Sequence, residues 1–172
     1  MNLTDQENYM IWDREAAHAK AETVKSSGKK IVFTNGCFDI LHRGHVEYLQ
    51  QARNLGDFLI VGLNSDKSIS ELKGSDRPLQ NELDRSIILD ALSSVDAIIV
   101  FDEDTPRKLI DDVEPDILVK GGDYQSREIA GSKTVLAKGG RVEIMPFISG
   151  ISTSALIKKM QEKALPKGGR TS

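Results

Sequence analysis

Only one cysteine, Cys37, occurs in the 172 residues, so no disulfide can close within the chain, which suits a reducing compartment. Aromatic residues make up 5%, too few for the stacking platform of a single-stranded nucleic-acid binder. There is no basic excess either. A formal net charge of −3 and a pI near 5.7 argue against a dedicated partner among nucleic acids or anionic membranes. Any affinity for phosphate must therefore come from a local site. No apolar run approaches the roughly 20 residues that cross a bilayer. The opening ten residues are acidic and polar, unlike a secretory signal. These absences point to a cytosolic protein whose length fits one domain with a sizeable core.

What is present alternates. Short apolar runs at Ile31–Phe33, Phe58–Leu63, Ala97–Phe101, Ile117–Val119 and Val142–Met145 are bounded by Gly, Asp or Pro. Helical spacings lie between them, at 43–55, Leu83–Leu92, 105–112 and 132–138. Near-continuous apolar strands joined by helical crossovers indicate a parallel sheet of five or six strands covered on both faces, an α/β/α sandwich. Residues 1–27 read as an N-terminal helical extension. Its helix is expected over 9–27, with Trp12, Ala16, Ala19 and Thr23 on a face that packs on the domain or on a dimer partner. Residues 28–165 read as the main domain and 166–172 as a disordered tail. A final helix is expected over 152–164, with Thr153, Leu156, Ile157, Met160 and Ala164 inward.

In such sheets ligands bind beyond the carboxyl ends of the strands, where the strand order switches. Three polar segments fall at such ends: 34–45, 64–66 and 120–124. In the first, an apolar strand passes through Gly36-Cys37-Phe38-Asp39 into His42, Gly44 and His45. Apolar residues at 46, 49, 52 and 55 continue as a helix, so both histidines fall on its first turn and on one face. A helix N-terminus carries unpaired N–H groups and the positive end of a dipole, a ready anion site. Two imidazoles add N–H donors, and Gly44 lets a phosphate approach the backbone. The pair suits nucleoside triphosphate chemistry; a zinc pair or plain capping residues are the alternatives, and zinc would want a third protein ligand.

The segment Gly36-Cys37-Phe38-Asp39-x-Leu41-His42-x-Gly44-His45 resembles the signature of the cytidylyltransferase-like nucleotidyltransferases. Gly150-Ile151-Ser152-Thr153-Ser154, followed by Ile157-Lys158, resembles their second signature, at the start of a late helix. Within that group, Asn64-Ser65-Asp66, Leu72-Lys73-Gly74, Arg77-Pro78, Asp84-Arg85, Phe101 to Pro106, Leu118 to Tyr124 and Glu128 to Ser132 resemble the bacterial heptose 1-phosphate adenylyltransferases. The likeness covers about residues 28–163. In some bacteria this activity forms the second half of a bifunctional kinase–transferase, and the present chain resembles a free-standing version. Two departures stand out. Phe147-Ile148-Ser149 lacks the Arg-Thr that many cytidylyltransferases carry there, and Asp84 stands where Glu is common.

The resemblance implies a small Rossmann-like fold, often dimeric. It also implies a reaction: ATP and D-glycero-D-manno-heptose 1-phosphate give ADP-heptose and pyrophosphate, a supply for the inner core of lipopolysaccharide. His42 and His45 are then assigned to the triphosphate, and the turn of Gly36, Cys37, Phe38, Asp39 and Gly44 to neighbouring oxygens. Asp39 has two readings, assisting Mg²⁺ or capping the turn. Thr34 and Asn35 are expected against phosphate and ribose. Ser152, Thr153 and Ser154 form a second helix-start anion site, and Lys120, Gly121, Gly122 and Asp123 lie toward base and ribose. Lys73, Arg77 and Arg85 are candidates for the sugar phosphate or the pyrophosphate, with Asn64 and Asp66 beside them. Mg²⁺ is expected on phosphate oxygens and water. Rival readings are a CTP:glycerol-phosphate transferase, a GTP-using heptose 1-phosphate transferase and a non-catalytic nucleotide-binding regulator.

Overall fold

All five apolar runs become strands: β1 (Ile31–Gly36), β2 (Phe58–Asn64), β3 (Ala97–Phe101), β4 (Ile117–Gly121) and β5 (Arg141–Met145). The computed structural model of the chain describes residues 9–122, 129–146 and 152–164. The expected tail, and the expected site residue Asp123, lie outside those residues. The sheet is wholly parallel, in the order β3-β2-β1-β4-β5. The chain winds outward from β1 to β3, then crosses back to lay β4 on the other side of β1. That reversal opens a crevice between the carboxyl ends of β1 and β4.

Seven helices cover the sheet among the described residues: α1 (Ala17–Ser26), α2 (Arg43–Arg53), α3 (Asp66–Lys73), α4 (Glu82–Asp90), α5 (Arg107–Val113), α6 (Ser132–Ala137) and α7 (Thr153–Ala164). Strand residues alternate between two cores, as a two-residue period requires. Ile31, Phe33 and Ile60 meet α1, α5 and α6 on one face, while Val32, Leu59 and Val61 meet α2 and α4 on the other. Each such side chain is fully buried, a contribution of about 1.5–3 kcal/mol apiece. Among the described residues no helix is long and apolar enough to cross a membrane.

Three expectations need correction. The leading helix begins at Ala17, not at residue 9. Met10–Trp12 is extended instead and pairs with β3: the Trp12 N–H donates to the Ile98 carbonyl at 2.7 Å, and the Ile98 N–H donates to Met10 at 2.9 Å. Trp12 is buried against Phe58, with ring centroids 5.6 Å apart. The inward face of α1 is Ala17 and Ala21, with Val24 half-buried, whereas Ala19 and Thr23 are exposed. Arg14 bridges Glu103 and Asp112, which fastens this segment to α5. In the last helix Leu156 and Ile157 are half-buried, but Met160 is 59% exposed. Helix α3 was not expected at all.

Candidate active site

The strand β1 ends in Asn35 and Gly36, and the chain then turns sharply. Phe38 adopts a left-handed backbone (φ 45°), which is uncommon for a bulky residue. Its ring folds back beneath Gly36, where a Cβ would stand only 3.0 Å from Phe38 Cε2. Any larger residue there would have to push the ring aside by a few tenths of an ångström. The same buried ring meets His45 edge-on, centroid to centroid 5.2 Å. The turn thus seats one of the two signature histidines directly.

His42 is the N-cap of α2: its Nδ1 accepts from the His45 N–H at 3.3 Å. The His42 and His45 rings stack at 3.8 Å with planes 14° apart. Burial lowers the His45 pKa to about 4; a proton on neighbouring His42 and, less strongly, the Lys73 ammonium act the same way, while the Ile40 carbonyl opposes them. That carbonyl falls outside hydrogen-bond geometry, and the buried His45 Nδ1 makes no hydrogen bond. Burial lowers the His42 pKa as well. At neutral pH both rings are therefore neutral imidazoles at the positive end of a helix, each with an N–H to offer an anion.

A cleft of about 470 Å³ opens above them. Its wall takes in Asn35, Gly36, Cys37, Phe38, His42, Gly44 and His45 from the turn and α2, Lys73 from the end of α3, and Lys120 and Gly121 from β4. Ser152, Thr153 and Ser154 close it from the start of α7, where Ser152 Oγ accepts from the Ala155 N–H at 3.1 Å. Thr153 Oγ1 donates to the Ile40 carbonyl at 3.4 Å, tying α7 to the histidine turn. Two helix starts thus face one cavity. No cluster of three or more His, Cys, Asp or Glu side chains suited to a metal exists among the described residues, so the zinc reading gains no third ligand.

Seven expected site residues stand outside the wall. Thr34 is fully buried, its Oγ1 2.6 Å from the Tyr48 hydroxyl. Asp39 is buried and accepts from the Leu79 N–H at 2.8 Å, the Gln80 N–H at 3.0 Å and the Arg77 guanidinium at 2.5 Å. Burial would raise its pKa, but these donors outweigh burial and hold it below the ordinary value. Asp39 is thus a clamp on the 77–80 segment, and Arg77 is neutralised by it. Arg85 is 1% exposed and donates to the carbonyls of Cys37, Asn64 and Gln80 and to Asp66 Oδ1. It braces the site from below. Asn64 donates to Ser68 Oγ at 3.0 Å, and the Gly122 N–H donates to the Met145 carbonyl at 2.9 Å. These side chains support the cleft; they do not line it.

Tyr48, Gln51 and Pro146 line the cleft and were not expected. Tyr48 and Gln51 follow His45 at three-residue steps, so they share its helix face, a signal the sequence did carry. Burial raises the Tyr48 pKa to about 12, so the phenol stays protonated at the floor.

The cytidylyltransferase-like family model matches residues 33–159, most of the chain and every wall residue. The chain belongs to the cytidylyltransferase-like family. Among family relatives it is 57% identical over 144 residues to the bifunctional protein HldE of Citrifermentans bemidjiense, 84% of this chain and 29% of that protein. Against the bifunctional protein HldE of Geotalea uraniireducens it is 54% identical over 149 residues, covering 87% and 30% respectively. The chain therefore spans about 30% of the length of these curated relatives. Among solved structures, a lipopolysaccharide core biosynthesis protein of Thermoplasma volcanium superposes with TM-score 0.57 at 30% identity, covering 70% of this chain and 98% of that one. A pantoate-beta-alanine ligase of Francisella tularensis shares the fold at TM-score 0.58 and 14% identity, over 89% of this chain and 77% of that one.

Proposed function

We propose that this family member transfers the adenylyl group of ATP to D-glycero-D-manno-heptose 1-phosphate, giving ADP-heptose and pyrophosphate. The observation that carries this reading is the stacked His42–His45 pair at the start of α2, facing a second helix start across one cleft. The identity of more than half of the aligned residues to the HldE proteins supports the choice of acceptor.

An oxygen of the sugar phosphate attacks the α-phosphorus of ATP, and the bond to the β-phosphate oxygen breaks in line. No covalent enzyme intermediate is needed. Catalysis is positioning and stabilisation of the charge that builds on the transferring group and the departing pyrophosphate. His42 and His45 donate N–H bonds to the polyphosphate, with the first N–H groups of α2 behind them. Lys73, whose charge is felt at His45, belongs to the same pole. Ser152 and its neighbours offer hydroxyl and N–H donors at the other helix start. The wall contains no carboxylate among the described residues, so Mg²⁺ fits as a partner of phosphate oxygens and water, where it would neutralise charge. A homodimer is part of the same reading, and equilibrium sedimentation checks it.

The test is pyrophosphate release across ATP, GTP and CTP, each with both anomers of heptose 1-phosphate and with glycerol 3-phosphate. Turnover confined to ATP with a heptose 1-phosphate is the expected result. Activity only with CTP and glycerol 3-phosphate would overturn the substrate assignment.

A further inference from the structure

Three cations, Lys73, Arg77 and Arg85, are expected from the sequence at the substrate phosphates and a fourth, Lys120, toward base and ribose; their surroundings sort them differently. Arg77 is neutralised by Asp39, and Arg85 is sealed beneath the turn beside Asp66. Lys73 is exposed and acts on His45, so it serves the polyphosphate end. Lys120 remains. It sits at the tip of β4, half-buried in the cleft wall, and its Nζ donates to Asn35 Oδ1 at 3.2 Å, across the β1–β4 junction. No carboxylate among the described residues pairs with it.

A half-buried ammonium whose protein partner is a neutral amide is unfavourable unless an anion joins it. Burial indeed lowers the Lys120 pKa, with the neighbouring Cys37 acting in the opposite direction. His45, by contrast, senses His42 and Lys73. The cleft therefore has two positive poles, one where Lys73 and the α2 N-terminus meet and one at the β1–β4 junction. A transferase of this kind must hold two phosphate-bearing molecules at once, and one pole cannot serve both.

We propose that Lys120, oriented by Asn35, anchors the phosphate of the acceptor substrate, the sugar phosphate whose oxygen attacks the nucleotide. This rests on the nucleotidyl-transfer reading above. Lys120 stays protonated throughout: it binds the non-attacking oxygens of the phosphate monoester and exchanges no proton with it. Bound there, the monoester lies apart from the pyrophosphate at the histidines, with the α-phosphorus between the two poles.

Steady-state kinetics of Lys120→Met and Lys120→Arg test the assignment. In Lys120→Met the KM for heptose 1-phosphate should rise by about tenfold or more while the KM for ATP moves by less than about threefold. Lys120→Arg should recover most of the loss, since a guanidinium also binds phosphate. A rise confined to the KM for ATP, or no rise in either, overturns the proposal. A second readout needs no turnover: calorimetric titration of inorganic phosphate into protein saturated with pyrophosphate. Wild type should bind phosphate and Lys120→Met should bind it about tenfold more weakly or not at all. Equal affinities, or no binding by wild type, overturn the proposal even if the transfer reaction itself proves to be a different one. If no nucleotide is transferred to any acceptor yet phosphate binding depends on Lys120, the reaction assignment fails and the anchor stands.

Discussion

Arg85 Nη1 donates to the Cys37 carbonyl at 2.7 Å, so a buried guanidinium holds the underside of the turn whose upper side faces the cleft. Through Nε it also holds the Gln80 carbonyl at 2.9 Å, the residue whose N–H donates to Asp39. Two charged side chains thus stitch the 37–39 turn to the 77–80 segment. Arg85→Met strands the carbonyls of Cys37, Asn64 and Gln80 and leaves Asp66 without its partner. Such a change should cost about 3 kcal/mol or more, read from urea unfolding midpoints. Arg85→Lys should recover only part, because one ammonium cannot span the acceptors that a planar fork reaches. A midpoint unchanged in Arg85→Met would show that the brace carries little.

The histidine pair is tested by turnover. His42→Ala and His45→Ala should each lower kcat by about 100-fold or more, the cost of removing a donor aimed at developing charge. Rates like wild type in both variants would remove the role assigned to the pair.

Acid should loosen the protein through His45. Its folded pKa of about 4 lies below the ordinary 6.5, so between those values the unfolded chain binds more protons than the folded one. Stability is then fully present above about pH 6.5 and falls as pH drops toward 4, by at most about 1.4 kcal/mol per pH unit. His45→Gln should flatten that slope in unfolding midpoints measured between pH 7 and 4.5. Identical slopes in wild type and variant would contradict the burial of this ring.

Two glycines separate strain from crowding. Gly131 and Gly139 share a left-handed backbone, with φ of 82° and 81°. At Gly131 a Cβ would lie 2.6 Å from Ile110 Cδ1, whereas at Gly139 nothing stands within 4 Å. Both alanine variants carry the backbone penalty of about 1–2 kcal/mol. Gly131→Ala should lose about 1–3 kcal/mol more, from overpacking. Equal thermal midpoints for the two variants would refute the close packing of α5 against Gly131.

The strands were legible because each is an apolar run cut off by Gly, Asp or Pro, and the two-face burial follows from that composition. Helix α3 was hidden because Asp66–Lys73 offers only Ile69 and Leu72 as apolar marks. Its Ser65 cap, which accepts from the Ser68 N–H, was the available sign. The start of α1 is misplaced because Trp12 looks helical in spacing, while Ile98, whose carbonyl its N–H reaches, lies 86 residues away. Within the candidate site, the strand tips and helix starts could be located from local pattern. What could not be read was which charges are already spent. Asp39 and Arg77, or Arg85 and Cys37, are tens of residues apart, and only the folded chain pairs them.

The short segment Met10–Trp12 has a protective effect beyond anchoring α1. β3 closes one side of an all-parallel sheet, and an uncovered outer strand is a template on which a second molecule can add its own backbone. Here Ile98 already exchanges hydrogen bonds with Met10 and Trp12. Trimming the chain past Trp12 would expose that rim, and the shortened protein would be the one to self-associate and precipitate.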